Sequence, residues 1–397
     1  MMRRIAKWGA VLVLVLLAGL WVLGPGIAER SLTQIDGQPL PDISEEARAL
    51  HARLTIVDLH SDTLMWKRNP LKRSKRGHMD LPRLIEGNVA LQVFSSVTKS
   101  PAGLNLDRNS ADVRDNITLL AFAQLQPPPT WNSLFERSIW HAERMEQASL
   151  EAPDALRIVR TPEDVTTILA QRDATGRPIG AMFSVEGLHN LEGQANNLQR
   201  LHERGLRMAG LTHFFDNELA GSMHGEDKGG LSAFGRDMVA EMERIGVIVD
   251  IAHCSHQCVD EVLAMARRPI ISSHGGVQAT CPTNRNLTDN EIRGVAATGG
   301  VIGVGYFEGA VCDTSPSAIA AAIRHIAQLV GTDYIALGSD FDGAVTTRFD
   351  TSGLVHITQA LLDDGFDEAD IAKIMGLNAL RVIRAGIAPM SDERGSV

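Results

Sequence analysis

The chain has 397 residues, of which 44% are hydrophobic and 22% charged, so it can bury a large core and reads as globular rather than disordered. Its net charge is −10 and no basic tract follows residue 76, which argues against a nucleic-acid partner bound through phosphate neutralisation.

The N-terminus opens with Arg3, Arg4 and Lys7, and then carries no charge from Trp8 to Ala28. A run of that length can span a bilayer with its basic flank on the cytoplasmic side. It equally suits a cleaved signal, because Gly24, Pro25 and Gly26 break the run and Gly26 and Ala28 are small residues at the cleavage-site spacing. Both readings predict an exported, extracytoplasmic protein, with membrane contact confined to the N-terminus. Residues 1–28 are expected to stand apart from the fold as signal peptide or anchor. Residues 29–43 are polar, with Pro39 and Pro41, and are expected to be a linker.

Ser44, followed by Glu45 and Glu46, predicts a helix N-cap and the start of the folded domain, expected over 44–390 with a tail at 391–397. Eight short apolar runs rich in β-branched residues then follow: Leu54–Leu59, Val89–Val97, Gly180–Val185, Met208–Thr212, Val247–Ala252, Pro269–Ser273, Val301–Phe307 and Tyr334–Gly338. Continuous apolar runs of this length suit parallel strands buried on both faces. Helix-like stretches at Leu198–Arg204, Gly235–Ile245, Cys258–Ala266 and Ser317–Val330 alternate with them. The alternation predicts an α/β fold of the (β/α)8 barrel type. The connection over 98–179 is too long for one helix and is expected to hold several, Asp112–Gln124 and Trp131–Ala148 among them. Two C-terminal helices, Asp367–Met375 and Asn378–Ala385, are expected to close the barrel. The basic cluster Lys67 to Arg76 reads as a solvated loop.

There are 4 cysteines, at 254, 258, 281 and 312. Export permits disulfides, but the sequence leaves their connectivity open. Cys254 and Cys258 read as buried thiols.

In such a barrel the chemistry sits at the C-terminal ends of the strands. The first run ends in His60-Ser61-Asp62, whose two outer residues point the same way along a strand and can grip one cation. Glu186 ends the third run, His213 the fourth, His253 the fifth, His274 the sixth and Asp340 the eighth. Each alone has a structural explanation as a hydrogen-bonded or salt-bridged residue. In series they predict a metal site at one mouth of the barrel, with Glu186 placed to bridge two cations and Asp340 placed to move protons. The other histidines, His51, His78, His141, His202, His325 and His356, lie in helix or loop sequence and read as structural. His189, His224 and His256 lie closer to strand ends but favour the same reading.

These motifs resemble the membrane (renal) dipeptidases, peptidase family M19, within the amidohydrolase-like barrels. The resemblance covers about residues 50 to 387. It rests on Val57-Asp58-Leu59-His60-Ser61-Asp62, Val185-Glu186-Gly187, Leu211-Thr212-His213, Asp250-Ile251-Ala252-His253, Ser272-Ser273-His274, Arg285-Asn286 and Gly338-Ser339-Asp340-Phe341-Asp342-Gly343. It implies a metallo-dipeptidase with two Zn(2+) per chain, His60 and Asp62 holding one, His253 and His274 the other, and Glu186 bridging. It implies that His213 contacts substrate and the developing oxyanion, that Arg285 binds the free C-terminal carboxylate of a small dipeptide, and that Asp340 is the acid/base. A hydroxide activated between the metals would attack the peptide carbonyl. A Cys281–Cys312 disulfide and a homodimer are also implied. Leu59, Ser61 and the segment Phe214-Phe215-Asp216-Asn217 depart from the commoner family pattern and bear on pocket shape. Two other readings compete: a related amidohydrolase acting on another amide or a lactone, and a non-catalytic, membrane-tethered binding protein.

Overall fold

The computed structural model describes residues 2–390. The expected tail at 391–397 lies outside the described residues. All eight apolar runs form strands: β1 (Ile56–Asp58), β2 (Val89–Val97), β3 (Ile179–Glu186), β4 (Leu206–Gly210), β5 (Ile248–Asp250), β6 (Ile271–Gly275), β7 (Val301–Val304) and β8 (Ile335–Leu337). Each pairs in parallel with the next, and β8 returns to β1 through the register Leu337↔Asp58, so the sheet closes into a barrel. All eight are buried along their length, which is why the sequence shows runs rather than alternation.

The barrel interior is filled by Val57, Leu59, Leu91, Val93, Met182, Met208, Ile248, Ile271, Val301 and Ala336. The C-terminal helix Asn378–Ile387 lays Ala379, Leu380, Val382, Ile383 and Ile387 against the same cluster. A larger apolar layer lies between the strands and the surrounding helices. The expected helices are present within a few residues, at Asn196–Glu203, Ala233–Ile245, His256–Met265 and Pro316–Val330. Ser44 caps its helix through the Ala47 amide. The long connection after β2 holds helices Asn116–Ala123 and Leu134–Glu151, as expected. It also holds a strand, Leu156–Ile158, paired beside β3 outside the barrel, and a further helix, Pro162–Thr175. That strand was not legible because only Leu156 is fully buried, so it leaves no apolar run.

Cys281 and Cys312 form a disulfide, with Cα atoms 5.3 Å apart. Cys254 and Cys258 are buried free thiols. The disulfide ties the loop after β6 to the segment after β7. Replacing both of its cysteines by serine is expected to cost about 3–4 kcal/mol, from the chain entropy of opening a loop with a separation of 31 residues. Urea unfolding of the double variant checks this, and a loss below about 1 kcal/mol would count against the entropic account.

The N-terminal region departs from expectation. A single helix, α1, spans Met2–Leu32, running past the boundary expected at Ala28 and through Pro25. Among the described residues no helix is long and apolar enough to cross a membrane. Residues 29–43 are not a free linker. The Glu29 carboxylate is buried and ion-paired to Arg68 at 2.7 Å and to Arg76 at 2.9 Å. Gln34–Ile35 pairs in parallel with Thr346–Thr347. The basic cluster at 67–76 is correspondingly not all solvated, since the Arg68 side chain is only 4% exposed. Distant partners, unreadable from local composition, decide both outcomes.

Candidate metal centre and active site

The strand ends bring together every residue the pattern singled out. Glu186, the last residue of β3, sits at the middle. Its Oε1 lies 2.9 Å from His253 Nε2, 3.0 Å from His274 Nε2 and 3.6 Å from His60 Nε2. Its Oε2 lies 3.3 Å from His213 Nε2. His60 Nε2 is also 3.5 Å from Asp62 Oδ1 and 3.9 Å from Asp340 Oδ1. The His60 and His274 rings stack with centroids 3.7 Å apart. His274 lies within β6 rather than after it, because that strand extends to Gly275.

Local backbone and buried acids hold these groups in place. Asp58, two residues before His60, accepts from the backbone amides of His60 and Ser339, both at 3.0 Å, and so pins β1 to β8. Asp250, at the end of β5, accepts from the amides of Ala252 and Ser273 and from the Ser273 hydroxyl. Ser273 Oγ in turn lies 2.8 Å from His274 Nδ1, fixing that ring. Sequence reasoning passed over both acids, although an aspartate two or three residues before a strand-end histidine was a readable signal. His253 and Asp340 both have left-handed backbone, φ 66° and 58°. Such conformations cost about 1–3 kcal/mol each and persist only where the surroundings enforce them. Gly343 is required beside them, since a Cβ there would lie 2.0 Å from Asp340 Oδ1.

A cation fits this cluster. His60 Nδ1 and Nε2, Asp62 Oδ1 and His253 Nδ1 are buried without hydrogen-bond partners, which is costly unless something else satisfies them. The ligand atoms of His60, Asp62 and Glu186 lie within 4.8 Å of one another, as do those of Glu186, His213 and His253. Imidazole nitrogens with carboxylate oxygens are a donor set suited to a divalent transition metal.

The electrostatics agree. Burial, with Asp62 next, raises the Glu186 pKa well above the ordinary carboxylate range. Burial, followed by Arg285 for His253 and by His60 for His274, holds both imidazoles far below their usual pKa, so they are neutral donors. Burial depresses His60, but Glu186, Asp62 and Asp340 outweigh it and hold it up to about 10. Burial pushes Asp340 up to about 8. In the metal-free chain, then, His60, Asp340 and Glu186 bind protons more tightly folded than unfolded. Above pH 6.5 the depressed histidines are neutral in both states and drop out. The native state holds the extra protons, so stability falls as pH rises through about 8 and 10. Metal displaces those protons, so the stabilisation it confers grows over the same interval. Melts of chelator-treated and metal-loaded protein at pH 7 and 9 check this; a gap that narrows with rising pH would refute it.

The cluster forms the base of a cavity of about 550 Å3, lined by Asp62, Glu186, His213, His253, Arg285 and Asp340. Arg285, on the loop after β6, is buried, donates through Nη2 to the His274 carbonyl and faces the same cavity. Sequence pattern alone missed it because it ends no strand; only the resemblance supplied it. His213 Nδ1 lies 3.2 Å from the Lys99 carbonyl oxygen, which leaves Nε2 toward Glu186. Of the histidines read as structural, His189 pairs with Thr98, His224 with the Leu106 carbonyl and His256 with Glu291.

A closed parallel barrel with a His/Asp/Glu cluster at the C-terminal ends of its strands defines a barrel metallohydrolase. The model of the membrane dipeptidase family, peptidase family M19, matches residues 44–392, and the chain belongs to that family. The dipeptidase aclJ of Aspergillus oryzae is 31% identical over 83% of this chain and 78% of its own length. The dipeptidase tcpJ of Claviceps purpurea is 30% identical, covering 78% of this chain and 69% of its own. Among solved structures, the probable dipeptidase PvdM from Pseudomonas aeruginosa superposes with a TM-score of 0.71 at 20% identity, over 86% of this chain and 98% of its own. A metallo peptidase from Rhodobacter sphaeroides, liganded with a phosphinate mimic of the dipeptide L-Ala-D-Ala, superposes at 0.68 with 23% identity, over 84% and 99%. The chain is a metallo-dipeptidase, a hydrolase of dipeptides that depends on metal.

Proposed function

We propose that the chain hydrolyses dipeptides with two zinc ions per chain. His60 and Asp62 would hold one, His253 and His274 the other, with Glu186 between them. The observation that carries this is the convergence of three imidazole nitrogens, each within 3.6 Å of one Glu186 oxygen, beside unpartnered buried donors. Bound there, the cations would supply a nucleophile from water at neutral pH and polarise the scissile carbonyl.

The chain's own residues do the rest. Arg285 offers a planar fork to the free carboxylate of a short substrate, which excludes the interior of a long chain. His213, its ring fixed by Nδ1–H donating to the Lys99 carbonyl, presents Nε2 beside Glu186 and contacts the substrate there. Asp340 takes the proton from water and returns it to the leaving amine. That the Rhodobacter sphaeroides relative is liganded with a phosphinate mimic of a dipeptide supports the same substrate class. A panel of dipeptides with L and D residues at the second position, alongside simple amides and lactones and with and without chelator, tests the reading. Hydrolysis confined to amides or lactones would overturn it.

Arg285→Met is expected to raise KM for dipeptides by about 100-fold, equivalent to losing a charge-assisted pair of about 3 kcal/mol. It should leave a carboxyl-amidated dipeptide, already a poor substrate, little changed. Equal losses on both substrates would remove the assigned contact.

The protein is proposed to be exported, through the basic flank and uncharged run of its N-terminus. Trp8, 71% exposed, and Val22, 77% exposed, project from α1 and would make contact with the membrane surface. Fractionation, with release by detergent but not by salt, would test this. A homodimer is proposed on the family resemblance and is checked by light scattering.

A further inference from the structure

α1 belongs to the active site. Leu20, Gly24, Ala28 and Leu32, spaced four apart along the helix, line the same cavity as Asp62, Glu186 and Asp340. The helix is fixed there by buried charge. Glu29 pairs with Arg68, and Arg68 also pairs with Asp342, two residues beyond Asp340. Asp342 further accepts from the Thr63 hydroxyl at 2.6 Å and the His78 amide at 2.6 Å. Immediately after the helix, Gln34–Ile35 pairs with Thr346–Thr347, the strand that follows the Asp340 loop. Farther up the helix, Trp21 packs on Phe122 with ring centroids 5.9 Å apart. A buried ion pair that lost its helix would leave an unpaired charge, so the docking is not incidental.

The cavity is polarised. Its charged groups, including Arg285, are gathered at the base, and its walls include Trp66, Leu106, Leu120, Phe214 and Phe307. A substrate with only short side chains would engage the base and leave the walls unused.

We infer that α1 is a permanent wall of the substrate cavity and selects dipeptides bearing a large apolar side chain. This rests on the dipeptide reading above and narrows it. The apolar substituent buries surface against α1 and the facing aromatic residues, while Arg285 holds the carboxylate. The working enzyme therefore retains α1, since cleavage after Ala28 would strip Leu20, Gly24 and Ala28 from the wall.

The test uses the full-length, metal-loaded protein. Gly24 lines the cavity, and a Cβ there meets only the Leu20 side chain, its flexible Cδ1 at 3.2 Å, so Gly24→Leu adds bulk at the wall once that end yields. The ratio of kcat/KM for Leu-Phe to that for Ala-Ala is expected to fall by about tenfold or more in this variant, the discrimination a few methylenes can produce. A ratio within about twofold of the wild type would overturn the inference. A second measurement does not depend on activity. Arg30 is exposed but flanked by the docked Glu29, so trypsin should cut after it slowly, and Glu29→Gln should accelerate cleavage by about tenfold or more. Equal rates in the two proteins would show an undocked helix and overturn the inference. If the wild type protects Arg30 yet hydrolyses neither dipeptide, the dipeptide reading fails while the docked wall is upheld.

Discussion

Asp340→Asn is expected to lower turnover of a dipeptide by on the order of 10³-fold while leaving metal content unchanged. The substitution keeps the shape of the side chain and removes only its ability to take up a proton. Shape matters here: the backbone is left-handed at φ 58°, and Gly343 approaches so closely that a bulkier arrangement has no room. Asp340 Oδ1 lies 3.9 Å from His60 Nε2, near the cluster but outside the tight group around Glu186, so its loss should not empty the site. Burial raises its pKa to about 8 in the metal-free chain, against the pull of His60 and Arg285. Bound cations stabilise the carboxylate and bring that value down. The wild-type rate should therefore rise with pH along an acidic limb set by Asp340, above the ordinary carboxylate range and below about 8. In Asp340→Asn that limb should vanish. Turnover within about threefold of wild type, at full metal occupancy, would remove Asp340 from the proton path.

The barrel was legible because its strands are buried on both faces. Runs such as Val301–Val304 carry no polar alternation to confuse them, and all eight strands formed where the runs lie. The convergence of candidate ligands was legible for the same reason. A histidine or carboxylate stands out when it follows uninterrupted apolar sequence, and barrel geometry brings strand ends together whatever their separation along the chain. What stayed hidden depends on contacts between distant segments. Glu29 read locally as linker and Arg68 as solvated loop, and only folding joins them with Asp342 in one buried chain of ion pairs. Arg285 has no periodic signature because a disulfide-tied loop, not a strand, positions it. The edge strand at Leu156–Ile158 is half exposed and too short to register as a run.

Glu186→Gln is expected to abolish measurable hydrolysis, a loss of at least about 10⁴-fold in kcat/KM, because it removes the group on which both halves of the site converge. Four imidazoles approach its two oxygens, at 2.9, 3.0, 3.3 and 3.6 Å. An amide at this position turns one acceptor into a donor and presents it to nitrogens that must themselves be free to bind metal. Its effect on stability should separate the site from the fold. In the metal-free chain Glu186 is a buried carboxyl whose charged form is disfavoured by burial and by Asp62. Replacing it with a neutral amide should leave the metal-free protein as stable or more so. The wild type should gain about 4 kcal/mol from metal supplied at a thousandfold excess over its dissociation constant, and the variant should lose most of that gain. Melting curves with and without chelator read both quantities. A variant that unfolds at a much lower temperature even without metal would show that Glu186 holds the barrel together rather than the cations. A variant that keeps its full metal content and activity would refute the bridging role. The orphaned atoms of His60 and Asp62 point to the intermediate case as the revealing one: loss of one equivalent of metal with the other retained would mean that these two residues, or His253 and His274, bind a cation without the bridge.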